Sequence, residues 1–260
     1  MKASTANRTL LWIVGVVIFF GLIGLVNGDE SDRRALGGYV ILGLAVAGLT
    51  WLGYTYRVLP RRESFAWQAR EVGLRAEHGD PLGLLKRPFV LFRWMASVRD
   101  VENTATGRRD GLDVVVADYW FSPTAAAERD DYERYTCVLT AVPADWPDLS
   151  VVPEHLASRM RDVLALSDIG TESAEFDRRF EIRSADRRFA SAFVDARLMA
   201  WLLEQVPGMG FEILGGWIMM FRPRATTSLD DVGRALDLHG GFLERIPRLM
   251  FPGRPDVGSG

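Results

Sequence analysis

Residues 112–122 read Leu-Asp-Val-Val-Val-Ala-Asp-Tyr-Trp-Phe-Ser, and this run decides the fold class. Valines and aromatics dominate it, as they do in strands that pack closely on a pleated surface. Val114-Val115-Val116-Ala117 and Tyr119-Trp120-Phe121 are apolar at both alternating sets of positions, so the strand needs cover on both faces and belongs in the centre of a sheet. Asp118 interrupts the run. A hydrogen-bonded or edge-facing carboxylate is the first reading for it, and a perturbed acid is the alternative.

The neighbouring segments extend the pattern. Residues 98–107 form a strand joined to this one through Gly107-Arg108-Arg109-Asp110-Gly111, a glycine-rich turn. Residues 132–142 alternate cleanly, with Tyr135, Cys137, Leu139 and Ala141 on one side and Thr136 and Thr140 on the other. Three consecutive hairpin-linked strands make a meander. Pro153 and Glu154 suit the first turn of a helix that continues through Leu156, Met160, Val163 and Leu164. Phe180 and Ile182 alternate with Glu181 and Arg183 as a half-buried strand. Asp186 caps a helix bearing Phe189, Phe193, Ala196, Ala200 and Leu203, with a break expected near Asp195 and a stop at Pro207-Gly208. Segments 211–214 and 217–221 flank Gly215-Gly216, a two-residue hairpin loop. Ser228 and Asp231 resemble a capping box for a last helix carrying Val232, Leu236, Leu243 and Ile246. On the other side of the meander, 63–77 reads as a helix ended by His78-Gly79-Asp80-Pro81. Strands in hairpins with helices between them predict an α+β domain over 58–252, an antiparallel sheet packed by helices. Residues 253–260 read as a frayed tail.

The first 57 residues have another character. Residues 10–26 and 36–56 contain no charged side chain, and each approaches the roughly 20 apolar residues that cross a hydrocarbon core. The first stretch is too long for a signal-peptide core and no small-x-small cleavage site follows it. The expectation is a transmembrane helical hairpin over 1–57. Lys2 and Arg8 precede the first span and Arg57, Arg61, Arg62, Arg70 and Arg75 follow the second, against Arg33 and Arg34 between them. That bias puts both termini and the folded domain in the cytoplasm, at the cell membrane. Trp51 and Tyr54, with Arg57, Arg61 and Arg62, are the expected membrane-interface residues. Neither span holds Asp, Glu, Lys, Arg or His, which argues against a transport path.

Composition narrows the chemistry. The chain carries a net charge of −3. Lys2, Arg8, Arg33 and Arg34 against Asp29, Glu30 and Asp32 leave the segment before residue 57 slightly positive, so the remainder is slightly more acidic. No concentrated basic face for nucleic acid is expected. Lys2 and Lys86 are the two lysines among 31 basic residues, so arginine pairs reflect compositional bias before they reflect sites. The single cysteine, Cys137, sits in a strand as a small buried hydrophobe. His78 lies in a loop, His155 lacks the second histidine that a zinc-protease helix needs, and His239 falls on the apolar stripe of the last helix. Gly208-Met209-Gly210 precedes a strand instead of opening a helix, the wrong context for a pyrophosphate. No catalytic, cofactor-binding or metal-ligating residue is assigned, and no cofactor is expected.

The stretch Phe176-Asp177-Arg178-Arg179-Phe180-Glu181-Ile182-Arg183, with Asp186, Phe189-Ala190, Met199-Ala200-Trp201-Leu202-Leu203, Gly215-Gly216-Trp217 and Val116-Ala117-Asp118-Tyr119, resembles an uncharacterised family of actinobacterial membrane-anchored proteins. The likeness covers most of positions 63 to 251. It implies two N-terminal transmembrane helices plus a domain of unknown function, and no catalytic residues to transfer. The resulting expectation is a membrane-anchored, non-enzymatic interaction or scaffold protein, with the lipid bilayer and a protein as partners. A membrane-bound enzyme with a carboxylate-based site and an accessory subunit of a membrane complex are the alternatives.

Overall fold

The computed structural model describes residues 59–93, 98–122, 132–160, 169–224, 231–247 and 250, together with 15, 43–49 and 51–52. The chain divides into two compact units, Met1–Glu63 and Ser64–Gly260. In the first, 43–49 and 51–52 are helical. Among the described residues no helix is long and apolar enough to cross a membrane. Most of the spans expected at 10–26 and 36–56 lies outside the described residues, as does the tail at 253–260.

The second unit is α+β. Helix α1 (Leu59–Glu71), which belongs to this unit from Ser64 onward, leads into β1 (Arg75–His78), a 3-10 turn (Leu84–Lys86) and a single helical turn, α2 (Val90–Arg93). The meander β2 (Arg99–Arg109), β3 (Leu112–Phe121) and β4 (Glu133–Ala141) follows. Next come β5 (Leu149–Pro153), α3 (Glu154–Met160), α4 (Ala174–Asp177) and β6 (Phe180–Ser184). The chain closes with α5 (Arg187–Phe193), α6 (Ala196–Glu204), β7 (Gly210–Leu214), β8 (Trp217–Pro223) and α7 (Asp231–Leu243). All eight strands form one sheet in the order β1-β2-β3-β4-β8-β7-β5-β6, and every neighbouring pair is antiparallel.

Local chemistry explains the turns. Arg109 pairs with Leu112 and Leu214 with Trp217, leaving Asp110-Gly111 and Gly215-Gly216 as two-residue loops. All four residues have φ between 50° and 77°, the left-handed geometry that matches the twist of a hairpin. Asp186 accepts from the Phe189 amide at 2.9 Å and Asp195 from the Leu198 amide at 2.8 Å. Each aspartate therefore caps its own helix, and the expected break at Asp195 is the start of α6.

Three elements differ from the sequence reading. The helix expected to run to residue 77 ends at Glu71, because Gly73 takes a φ of 77° and Leu74 N donates to Ala69 O at 2.7 Å. That is a Schellman stop with buried Leu74 as its apolar contact, and it frees residues 75–78 to become β1. Pro153 closes strand β5 instead of opening a helix. The edge strand β6 is buried along its whole length, since Glu181 and Arg183 neutralise each other beneath α3 instead of facing water. Ser228 of the expected capping box lies outside the described residues.

Strand alternation sends side chains into two cores. On one face Val114, Val116, Val138, Val151, Phe211, Ile213 and Met220 pack beneath α1, α5, α6 and α7. Phe193, Phe211 and Phe242 form a run of aromatic contacts there, with centroids 5.7 and 4.8 Å apart. On the other face Val115, Ala117, Tyr119, Phe121, Tyr135, Cys137, Leu139 and Met219 pack beneath residues 84–92 and α3. Burying each such side chain contributes about 1.5–3 kcal/mol. The double cover confirms β3 as a central strand.

Candidate functional site

A groove opens on the second face, between the segment that covers it and the β2–β3 hairpin. Its shape starts with Asp80, whose carboxylate accepts from the amides of Leu84 at 2.6 Å and Leu85 at 3.0 Å. Gly83, with a φ of 64°, turns the chain so that Leu84 inserts into the core while Leu82 remains 45% exposed. Arg87 then lays its guanidinium over the Trp217 ring, 4.3 Å from the centroid, a cation–π contact. On the opposite wall Arg108 is held by Asp113 at 3.1 Å and by Gly111 O at 3.1 Å. Between them lies a space of about 460 Å³ lined by Leu82, Leu84, Arg87, Thr106, Val115 and Trp217 among others. The lining is mainly apolar, with arginines at the mouth. Such a surface can seat a side chain; its polar lining is Thr106, Arg87, Arg108 and Asp113, the last two paired with each other.

The covering segment is fixed to the sheet by a buried carboxylate. Glu212 of β7 accepts from the Val90 amide at 2.6 Å and the Leu91 amide at 3.0 Å. The Tyr119 hydroxyl donates to Leu91 O at 3.0 Å beside it. Burial pushes the Glu212 carboxyl up to about 7, against the two amide hydrogen bonds that lower it. Burial also raises the Cys137 thiol well above its ordinary value, so this cysteine is an inert core residue.

Asp118 sits on the opposite face, in a cross-strand row with Asn103, Thr136 and Arg222. It is 1% exposed, ion-paired to Arg224, and accepts from Asn103 Nδ2 at 3.1 Å. Both partners bind Oδ2, and Oδ1 has no hydrogen-bond partner among the described residues. Burial raises its carboxyl and Arg224 opposes the rise. A second pair, Arg134 to Glu102 at 2.8 Å, extends the cluster. Its evident work is to tie β2, β3 and β4 to the end of β8, the hydrogen-bonded role expected for Asp118.

Of the expected interface residues, Trp51 is 65% exposed. Tyr54 and Arg57 lie outside the described residues, and Arg61 and Arg62 belong to α1 with side chains outside them. Among the described residues no three His, Cys, Asp or Glu side chains gather as a metal site. Glu212 and the groove had no signal in the sequence. In Phe211-Glu212-Ile213 the glutamate looks like the outward residue of a half-exposed strand, and the groove unites three distant segments.

No protein-family model matches the chain, and no curated protein matches it. Among solved structures it is similar to the crystal structure of the mycobacterial trehalose monomycolate transport factor A, TtfA. The identity is 15%, the alignment covers 74% of this chain and 97% of that chain, and the TM-score is 0.46.

Proposed function

We propose that this chain is a bilayer-anchored, non-enzymatic interaction module whose folded unit faces the cytoplasm and seats a partner protein beside Trp217. The observation that carries the reading is the groove itself, with its mainly apolar walls. Among the described residues no carboxylate pairs with Arg87 at its mouth. The complementary occupant is a protein segment that presents an apolar side chain to Leu84, Val115 and Trp217 and an adjacent carboxylate to Arg87. Anchoring is supported by the helical residues Leu44, Val46, Leu49, Trp51 and Leu52, which are all exposed, and by the basic residues that flank the two apolar runs.

A photocrosslinking residue at position 82, expressed in native membranes, tests the docking. The expected product is an adduct with a different protein that is lost on Trp217→Ala and absent when the crosslinker replaces exposed Val206. An adduct between two copies of this chain, or one unaffected by Trp217→Ala, refutes the reading. For orientation, protease added outside intact cells should leave the folded unit whole; its digestion would place the unit on the wrong side.

A further inference from the structure

The wall of the groove and the anchor point of its covering segment are neighbours in the chain. Leu82, Leu84 and Arg87 line the groove, and Val90 and Leu91 are the residues whose amides bind Glu212. The carboxylate holds both amides at once, one on each oxygen, so the segment has a two-point attachment to β7.

The surroundings of Glu212 make the attachment sensitive to charge. Tyr119 faces it from β3 and Cys137 from β4, and both are neutral with raised values. Ser150 of β5 and Met219 of β8 stand opposite it in register. Strand β6 brings Glu181 and Arg183, which are bound to each other. Strand β2 brings Arg99, whose field reaches Tyr119, and α2 brings Arg93, which is exposed. Among the described residues no cation is bonded to the Glu212 carboxylate, although the residue is 2% exposed. A negative charge sealed there is shielded from bulk solvent and has no bonded cation among the described residues, and two amide donors offset only part of that loss.

We propose that Glu212 is a latch for the segment 84–93, and that the protonation state of its carboxyl sets how firmly this wall of the groove is held. The sign follows from the sealed and open forms. Sealed, the carboxyl titrates at about 7; once the segment lifts and water enters, it returns towards its ordinary 4.5. The closed form therefore takes up the proton, and ionisation favours opening. The wall is firmest on the acid side. Opening rises as pH climbs from 4.5 to 7 and levels off above, roughly 70-fold between pH 5 and pH 8 for these two values. As a means of regulating docking, the latch rests on the proposed function; as a property of the segment it does not.

Hydrogen exchange of the full chain in its membrane, without any partner, tests it. Amides of 84–93 are followed at pH 5, 6, 7 and 8 and corrected for intrinsic exchange, with β4 amides as the internal reference. The expected result is a steep rise in opening with pH at 84–93, a weaker response in β4, and a flat profile at 84–93 in Glu212→Gln. A flat wild-type profile, an equal slope in the variant, or β4 following the same curve overturns the latch. Should Glu212→Gln fail to fold, the carboxyl carbon resonance of wild-type Glu212 decides: a midpoint near 7 is expected, and one near 4.5 refutes the proposal. A working latch beside a failed position-82 crosslink would remove the docking reading alone.

Discussion

His239→Leu gives a test of how the interior of this unit handles protons. The imidazole lies in α7 at 3% exposure, its Nε2 has no hydrogen-bond partner among the described residues, and burial lowers its value to about 4. An unfolded chain would protonate it near 6.5. The folded state thus binds fewer protons between pH 6.5 and 4, so stability is lost as the solution is acidified through that window. At 1.36 kcal/mol per pH unit the loss between pH 7 and pH 4 is about 3 kcal/mol. Leucine has similar volume and no proton to bind. The advantage of His239→Leu over wild type should therefore grow by about 3 kcal/mol from pH 7 to pH 4. Because every other group titrates alike in both proteins, the difference between the two differences isolates this one side chain. Urea denaturation of the detergent-solubilised full chain, followed by tryptophan fluorescence and extrapolated linearly, supplies the four values. An advantage that changes by less than about 1 kcal/mol would mean that water or a partner reaches the imidazole, and the argument from burial would fail. Glu212 acts in the opposite sense, since its raised value makes the fold gain stability as pH falls from 7 to 4.5. The wild-type profile should accordingly be flatter than that of His239→Leu.

Arg224→Met strands the Asp118 carboxylate at 1% exposure, and removing one member of a buried pair costs about 3–5 kcal/mol. The deficit should shrink as pH falls through the carboxylate range, where Asp118 becomes neutral, and adding Asp118→Asn should recover part of it at pH 7. A deficit independent of pH would exclude the unpaired charge as its cause. Gly210→Ala places a methyl 2.6 Å from Val151 O and 2.7 Å from Phe221 Cζ. The first obstacle is the backbone of an interior strand, so a loss of about 2 kcal/mol or more is expected in the urea midpoint; a neutral result would show that β5 and β7 can separate at little cost.

The meander was legible because Val114 to Ala117 and Tyr135 to Ala141 show their faces in the residue pattern, and the β7–β8 hairpin because Gly215-Gly216 can take the left-handed turn. The cap at Asp186 was legible because a short carboxylate before a helical run can accept from a free amide, whereas at Asp195 only a break could be read and its cap emerged with the structure. Strand β1 was not, since Arg-Ala-Glu-His has no apolar alternation and joins the sheet through its backbone. Strand β5 was hidden by brevity and by Pro153, which suits a helix start as well as a strand end. Cys137 and Asp118 could be read because burial in an apolar strand constrains what each can do. Glu212 could not, because an isolated glutamate between apolar strand residues looks solvated until its partners, 121 and 122 residues away, are in place.

The strand order has a bearing on synthesis. Two ribbons, β1–β4 and β5–β6, are joined only by the β7–β8 hairpin, so β4 finds its second neighbour only when residues 217–223 arrive. Until then the nascent chain carries an apolar strand margin ready to pair with any extended peptide, the state in which sheets aggregate. A chain that ended before Trp217 would hold two ribbons within one polypeptide and no strand to join them into a single sheet.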